Sequence, residues 1–208
     1  PEEIAGGIKK AILDRTLIPI VFVDSASNVG VDLFLKLVVE SAPSPVDMGS
    51  VTAKKTGGEI ELKPSKDAPL AIQSFKTIVE QHVGELSLFR VFSGSYKAGE
   101  EIYNATSSAS ERPTLIYNLM GKDRVEVPAV NSGDIGTFVK LKSTKTGDTL
   151  CSKQLQIEFP PLVFPEPVMD VAVYPKTKGE EDKVAQGFNK LRDEDPSFKI
   201  RNDPELRQ

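Results

Sequence analysis

Between residues 69 and 150, short apolar runs of strand length alternate with glycine-bearing turns at intervals of roughly ten residues, and that spacing leaves few folds open. Residues 86–92 (Leu-Ser-Leu-Phe-Arg-Val-Phe) end at Ser93-Gly94-Ser95, and residues 102–105 follow the turn Lys97-Ala98-Gly99-Glu100. Residues 115–120 and 125–130 are further runs, and 135–141 come after Asn131-Ser132-Gly133-Asp134. In this last run Ile135, Thr137, Val139 and Leu141 share one face, while Lys140 and Lys142 share the other. A period of two is what a half-buried strand needs. Antiparallel strands this short would expose hydrogen-bonding edges in an open sheet, so a small closed barrel is expected.

The flanks have a different pattern. Ile4, Ile8 and Ile12 recur every fourth position, with Glu2 and Glu3 ahead of Lys9, Lys10 and Arg15, which predicts an amphipathic helix with charges that suit its dipole. Residues 17–23 (Leu-Ile-Pro-Ile-Val-Phe-Val) read as a strand covered on both faces, with Pro19 at a sheet edge or strand start. After a polar turn at 24–30, a second helix carries Phe34, Leu37, Val38 and Ser41 on one stripe and stops before Pro43-Ser44-Pro45. Together these read as the tail of an α/β domain. A polar turn at the C-terminal end of a strand is where open α/β sheets bind ligands. The plainer reading is a strand-to-helix turn with Ser25 or Asn28 as helix N-cap. Residues 46–68, with Lys54-Lys55, Gly57-Gly58 and Lys66-Asp67, read as an exposed connector whose lysines are solvated charge.

Toward the C-terminus, Pro160, Pro161, Pro165 and Pro167 restrict the backbone and mark a boundary. Residues 168–174 are expected to form a strand. Thr177 and Glu180 have capping-box spacing, which predicts a helix from just after Thr177 with Val184, Phe188 and Leu191 as its buried stripe. Residues 197–201 start another strand. Two strands and a helix enclose no core of their own, so this part is expected either to pack on the barrel or to be poorly ordered.

Composition and absent motifs exclude several classes. A net charge of −4 argues against bulk coating of DNA or RNA and leaves room for a local basic patch. The single cysteine, Cys151, excludes an internal disulfide and fits a reducing cytosol as a structural thiol. His82 has no partner at ligand spacing and reads as a turn residue; Arg90, inside an apolar run, is expected to snorkel or pair with a carboxylate. There is no catalytic nucleophile-base pair and no metal cluster. The sequence holds no Gly-x-x-x-x-Gly-Lys-Ser/Thr loop, no Asp-x-x-Gly and no Asn-Lys-x-Asp, so this segment by itself is not expected to be an enzyme. No apolar run approaches the roughly 18 residues of a membrane helix, and the cytoplasm is the expected compartment. The chain starts without methionine and both ends cut through recognisable units, which reads as a fragment of a longer protein.

The runs Val83-Gly84-Glu85-Leu86-Ser87-Leu88-Phe89-Arg90-Val91-Phe92-Ser93-Gly94, Ser132-Gly133-Asp134-Ile135-Gly136 and Thr146-Gly147-Asp148-Thr149-Leu150 resemble the second domain of elongation factor G, the translocation GTPase of bacterial ribosomes. Pro165-Glu166-Pro167-Val168, Pro175-Lys176-Thr177 and Glu194-Asp195-Pro196-Ser197-Phe198 resemble the opening of its third domain. The resemblance covers nearly the whole chain. It implies a mainly β fold, a central antiparallel β-barrel of the translation-factor domain II type. An α/β G-domain tail and the start of a ferredoxin-like α+β domain III flank that barrel. The implied division is 1–45 G-domain end, 46–68 linker, 69–163 barrel and 164–208 third-domain start.

Under the same resemblance Ser25 and Ala26 correspond to the fifth guanine-nucleotide motif, whose backbone amides meet the base. GTP or GDP with magnesium would belong to a parent GTPase and be incomplete in this segment. The implied partner is the ribosome, through small-subunit rRNA, with Arg112, Lys122, Arg124, Lys140 and Lys142 as possible contacts; no DNA, no membrane and a monomer are expected. The expected role is to couple GTP state to translocation in protein synthesis. Residues 120–130 look more like a paralogous group of elongation factor G-like proteins, which opens the alternatives of a release, ribosome-protection or stress-type factor. A stand-alone β-barrel protein-interaction module is the competing class.

Overall fold

The computed structural model describes residues 2–80, 83–177 and 179–201. His82, expected in a turn, lies outside the described residues. The chain divides into two units, Pro1–Ser50 and Val51–Gln208.

In the first unit, helices α1 (Glu2–Leu13) and α2 (Val31–Ser41) form where the apolar periodicity places them, and they lie against each other. Lys9 Nζ reaches Asp47 Oδ2 at 2.8 Å. Residues 17–23 do not form the expected strand. A ladder needs a neighbour, and none of the sheets includes these residues. Phe22 is accordingly 93% exposed. The N-cap of α2 is Gly30, at φ 76 and with no side-chain cap bond, so neither Ser25 nor Asn28 caps the helix. A side chain here would be strained, and a Cβ would meet the Phe22 carbonyl oxygen at 2.8 Å.

The second unit holds the strands β1 (Val51–Lys55), β2 (Gly58–Leu62), β3 (Ala71–Glu80), β4 (Gly84–Ser93), β5 (Ser95–Lys97), β6 (Ile102–Asn104), β7 (Ala109–Glu111), β8 (Ile116–Met120), β9 (Asp123–Glu126), β10 (Ala129–Asn131), β11 (Ile135–Val139), β12 (Thr149–Cys151) and β13 (Ile157–Glu158). Eight of them form one antiparallel sheet in the order β7-β6-β12-β3-β4-β11-β8-β9. Ile72 of β3, Phe89 and Val91 of β4, Ile102 of β6, Ile116 of β8, Phe138 of β11 and Leu150 of β12 share one core. Strands from both halves of the order reach that core only because the sheet curls around it. The separate β5–β10 pair adds Tyr96 and Val130 to the same core.

The Phe89 and Phe138 rings stack at 4.0 Å, and Tyr96 meets Phe138 edge-on at 5.3 Å. Gly136, opposite Phe89 in register, makes room for the ring: a Cβ there would lie 2.6 Å from Phe89 Cζ. The buried Tyr96 hydroxyl donates to the Glu100 carbonyl at 2.8 Å.

The segment read as an exposed connector is in part a third layer. The β1–β2 hairpin pairs with β13, and Ala53, Leu62, Ile157 and Phe159 cover Ala71 and Cys151 on the outer side of the barrel in a second core. Burial pushes the Cys151 thiol up, as fits an inert structural residue.

Residues 168–174 and 197–201 also form no strand, because no ladder partner lies beside them among the described residues. Helix α3 (Glu181–Glu194) begins later than the capping-box spacing predicts: its N-cap is Glu180, without a side-chain cap bond. Its stripe residue Phe188 meets Phe198 at 5.9 Å between ring centroids. Helix α3 lies against β3, so this helix takes the packed one of the two expected outcomes, while Val163, Val168 and Met169 ahead of it are exposed.

Candidate nucleic-acid interface

The loop between β11 and β12 carries Lys142 and Lys145, and two carboxylates fix it. Glu111, the last residue of β7, accepts from the Lys142 and Ser143 amides at 2.6 and 2.7 Å and from the Thr144 hydroxyl at 2.6 Å. Asp148 Oδ2 accepts from the Lys145 amide and from Asn104 Nδ2, both at 2.8 Å. Asn104 is fully buried, and its Oδ1 accepts from the Thr106 and Ser107 amides at 3.0 Å each. Ser74 pairs with the same loop through Ser74 N to Asp148 O and Gly147 N to Ser74 O. The loop backbone is thereby held in place while the side chains of Lys142 and Lys145 stay exposed.

Arg112, exposed and next to Glu111 in sequence, is brought to the rim that holds Lys142. Lys140 lies two residues before Lys142, exposed, with φ 57 and its amide donating to the Glu85 carbonyl. Lys140 and Lys142 thus share the β11–β12 loop, and Arg112 follows the Glu111 that holds the Lys142 amide. Lys122 sits apart, in the turn between β8 and β9, and Arg124 on β9 pairs with Glu80, so its charge is already met within the chain. Arg90 takes neither of its expected forms in full. Its guanidinium lies 5.4 Å over the Phe92 ring, and its Nε is buried without a hydrogen-bond partner.

Ser25 and Ala26 lie in a turn closed by the Asp24–Val29 bridge. Asp24 Oδ1 accepts from the Ala26 amide at 3.0 Å and Oδ2 from the Ser27 hydroxyl at 2.5 Å. These bonds, that from Ser27 first, hold the Asp24 carboxyl below its ordinary range. The turn is prearranged by its own acid, and the Ala26 amide is used in arranging it.

Glu111, Asn104 and Asp148 were not singled out in the sequence, although they hold the rim together. The local signals are the Gly147-Asp148 turn and the turn after Asn104, whose Oδ1 takes the Thr106 and Ser107 amides, whereas the partners of Asn104 Nδ2 lie some forty residues away in the chain. Burial works against the charge of Glu111, yet the bonds from Thr144, Ser143 and Lys142 outweigh it and hold its carboxyl below the usual range. A lowered folded-state value means stability that is present above the unfolded carboxylate range, about 4.3, and lost as pH falls through the folded value. Glu111→Gln is expected to cost about 1 kcal/mol at neutral pH, a modest figure because solvent screens the site. The cost should vanish below the folded value. Urea midpoints from pH 3 to 7 check this, and equal midpoints for the two proteins at pH 7 would contradict it.

Residues 69–153 match the family described as elongation factor G domain 2, and residues 164–208 match elongation factor G, domain III. Two proteins named elongation factor G, from Chlamydia trachomatis serovar D and serovar A, are each 37% identical over 209 residues, covering 100% of this chain. The chain spans 30% of the length of these relatives. A crystal structure of a Thermus thermophilus protein is similar with a TM-score of 0.77 at 25% identity, over 99% of this chain and 29% of that one.

Proposed function

Because the chain belongs to the elongation factor G family, we propose that it is the ribosome-docking middle of a translational GTPase, linking the state of the bound nucleotide to translocation. The observation that carries this reading is the order of the matches: two consecutive domains of one family, within a relative similar from end to end of this chain. The barrel would meet small-subunit rRNA through phosphate contacts from Arg112, Lys140 and Lys142. Their loops are held rigid by Glu111 and Asp148, so little order has to be created on binding.

In the same reading Ser25 and Ala26 form one wall of a guanine-nucleotide pocket whose other parts and magnesium belong to the parent protein. The turn fixed by Asp24 suits a rigid wall. Because the Ala26 amide is bonded to Asp24, contact with the base would fall to Ser25.

Sedimentation of the chain with small ribosomal subunits tests the docking. Binding should weaken steeply between about 50 and 200 mM salt, as phosphate contacts require. The triple variant Arg112→Ala, Lys140→Ala, Lys142→Ala should lower the salt slope by about one for each phosphate that is no longer neutralised. Arg124→Ala should leave that slope unchanged. No binding at low salt would overturn the reading. A second reading, a protein partner, is favoured by Met120 and Val125, which are 71% and 51% exposed on the β8–β9 hairpin. Binding to subunits that is insensitive to salt and abolished in Met120→Ser would support it.

A further inference from the structure

The two sides of β3 are paired to very different lengths. Along one side β4 runs beside it from Ala71 to Glu80. On the other side β12 pairs only with Ala71, Ile72 and Gln73. Beyond that, the β11–β12 loop takes over: Asp148 and Gly147 exchange backbone bonds with Ser74, and Thr146 meets Thr77 through their hydroxyls at 3.0 Å. At Val79 neither is left. Its amide donates instead to Glu194 Oε1 at 2.6 Å, in a part-buried bond that reaches across from the last residue of α3.

Two further observations give that bond weight. Helix α3 has no fully buried residue, and Leu191 of its apolar stripe is 47% exposed, so apolar burial does little to fix where it lies. Asp193 and Glu194 also put negative charge in the last turn, where the helix dipole disfavours it. Glu194 gains its favourable partner outside the helix, on the barrel.

We propose that Glu194 is the positioning residue that seats α3 on the barrel, supplying to the open side of β3 the acceptor that a neighbouring strand would otherwise provide. The junction is releasable, because among the described residues it is carried by a charge-assisted bond rather than by a sealed apolar interface. The adjacent β3 residue, Glu80, holds Arg124 of the β8–β9 hairpin, so the same strand end anchors two separate elements.

Hydrogen exchange of the full chain, read at single amides, tests this with Glu194→Ala, Glu194→Gln and the neighbouring control Asp193→Asn. In Glu194→Ala the Val79 amide should exchange about tenfold faster, the scale of losing one charge-assisted bond, while the amides of Phe89 and Phe138 keep their protection. Glu194→Gln, which keeps a neutral acceptor, should give a smaller rise, and Asp193→Asn none. Proteolysis within residues 163–177 should quicken in the alanine variant in step with Val79 exchange. Unchanged Val79 exchange in Glu194→Ala would overturn the proposal, as would an equal rise in Asp193→Asn. Should the alanine variant unfold the barrel, Glu194→Gln decides: Val79 exchange at the native rate there counts against the latch.

Discussion

Phe138→Ala is expected to destabilise the second unit by about 3–5 kcal/mol, the range for deleting a fully buried aromatic ring. Phe138 has no exposed surface, stacks on Phe89 at 4.0 Å and takes the edge of Tyr96 at 5.3 Å, so its loss empties the meeting point of three strands. The backbone is poorly placed to close the gap. β11 is pinned between β4 and β8 by ladder bonds on both sides, and Gly136, two residues away, already allows Phe89 its closest approach. Thermal unfolding should show a midpoint lower by about 6–20 °C, given some 2–4 °C per kcal/mol for a domain of this size. Phe138→Leu, which refills most of the volume, should cost less than half as much. A loss below about 1 kcal/mol in the alanine variant would mean that the ring is not the centre of the barrel core.

The barrel was readable from strand-length apolar runs set between glycine turns, and most of residues 86–92, 102–105, 115–120 and 135–141 lie in strands. Two details differ: 125–130 is broken between β9 and β10, which belong to different sheets, and in β11 Phe138 enters the core while Ile135, expected on the buried face, is 56% exposed. What the sequence hides depends on partners distant in the chain. Residues 51–62 looked like a connector since their burial comes from β13 and Phe159, far along the chain. Residues 17–23 and 168–174 have strand composition, yet composition makes no ladder without a strand alongside. The charged residues divide the same way. Arg112, Lys140 and Lys142 could be named as exposed cations, but that Glu111, next to Arg112, holds the Lys142 amide, and that Arg124 pairs with Glu80, are facts of packing. The polar turn at 24–30 is legible from its place after an apolar run, while the nucleotide role of Ser25 and Ala26 rests on resemblance; the dependence of that turn on Asp24 is visible only in three dimensions.

Asn104→Asp should be nearly as damaging as the loss of Phe138, and unlike it should depend on pH. Asn104 Nδ2 donates to Asp148 Oδ2 at 2.8 Å, and the two residues are 0% and 8% exposed. The substitution keeps the shape and the acceptor used by the Thr106 and Ser107 amides, but replaces the donor with a second carboxylate. Two like charges at that distance cannot both ionise cheaply, so one carboxyl value is driven up. A raised folded-state value means that stability is retained below the unfolded carboxylate range and lost as pH rises through the folded value. At pH 7 the expected cost is about 3–5 kcal/mol, that of an uncompensated buried charge, and it should shrink toward pH 4 as the pair shares a proton. The consequence reaches the rim, because Asp148 also holds the Lys145 amide and Asn104 touches Thr144 and the Ser143 carbonyl. Under the proposed docking, affinity for small ribosomal subunits should therefore fall in the variant at neutral pH, with no basic residue altered. Denaturant midpoints across pH 4–8 give the first readout; a penalty that stays flat over that range would show that Asn104 and Asp148 are not coupled as the buried pair described above.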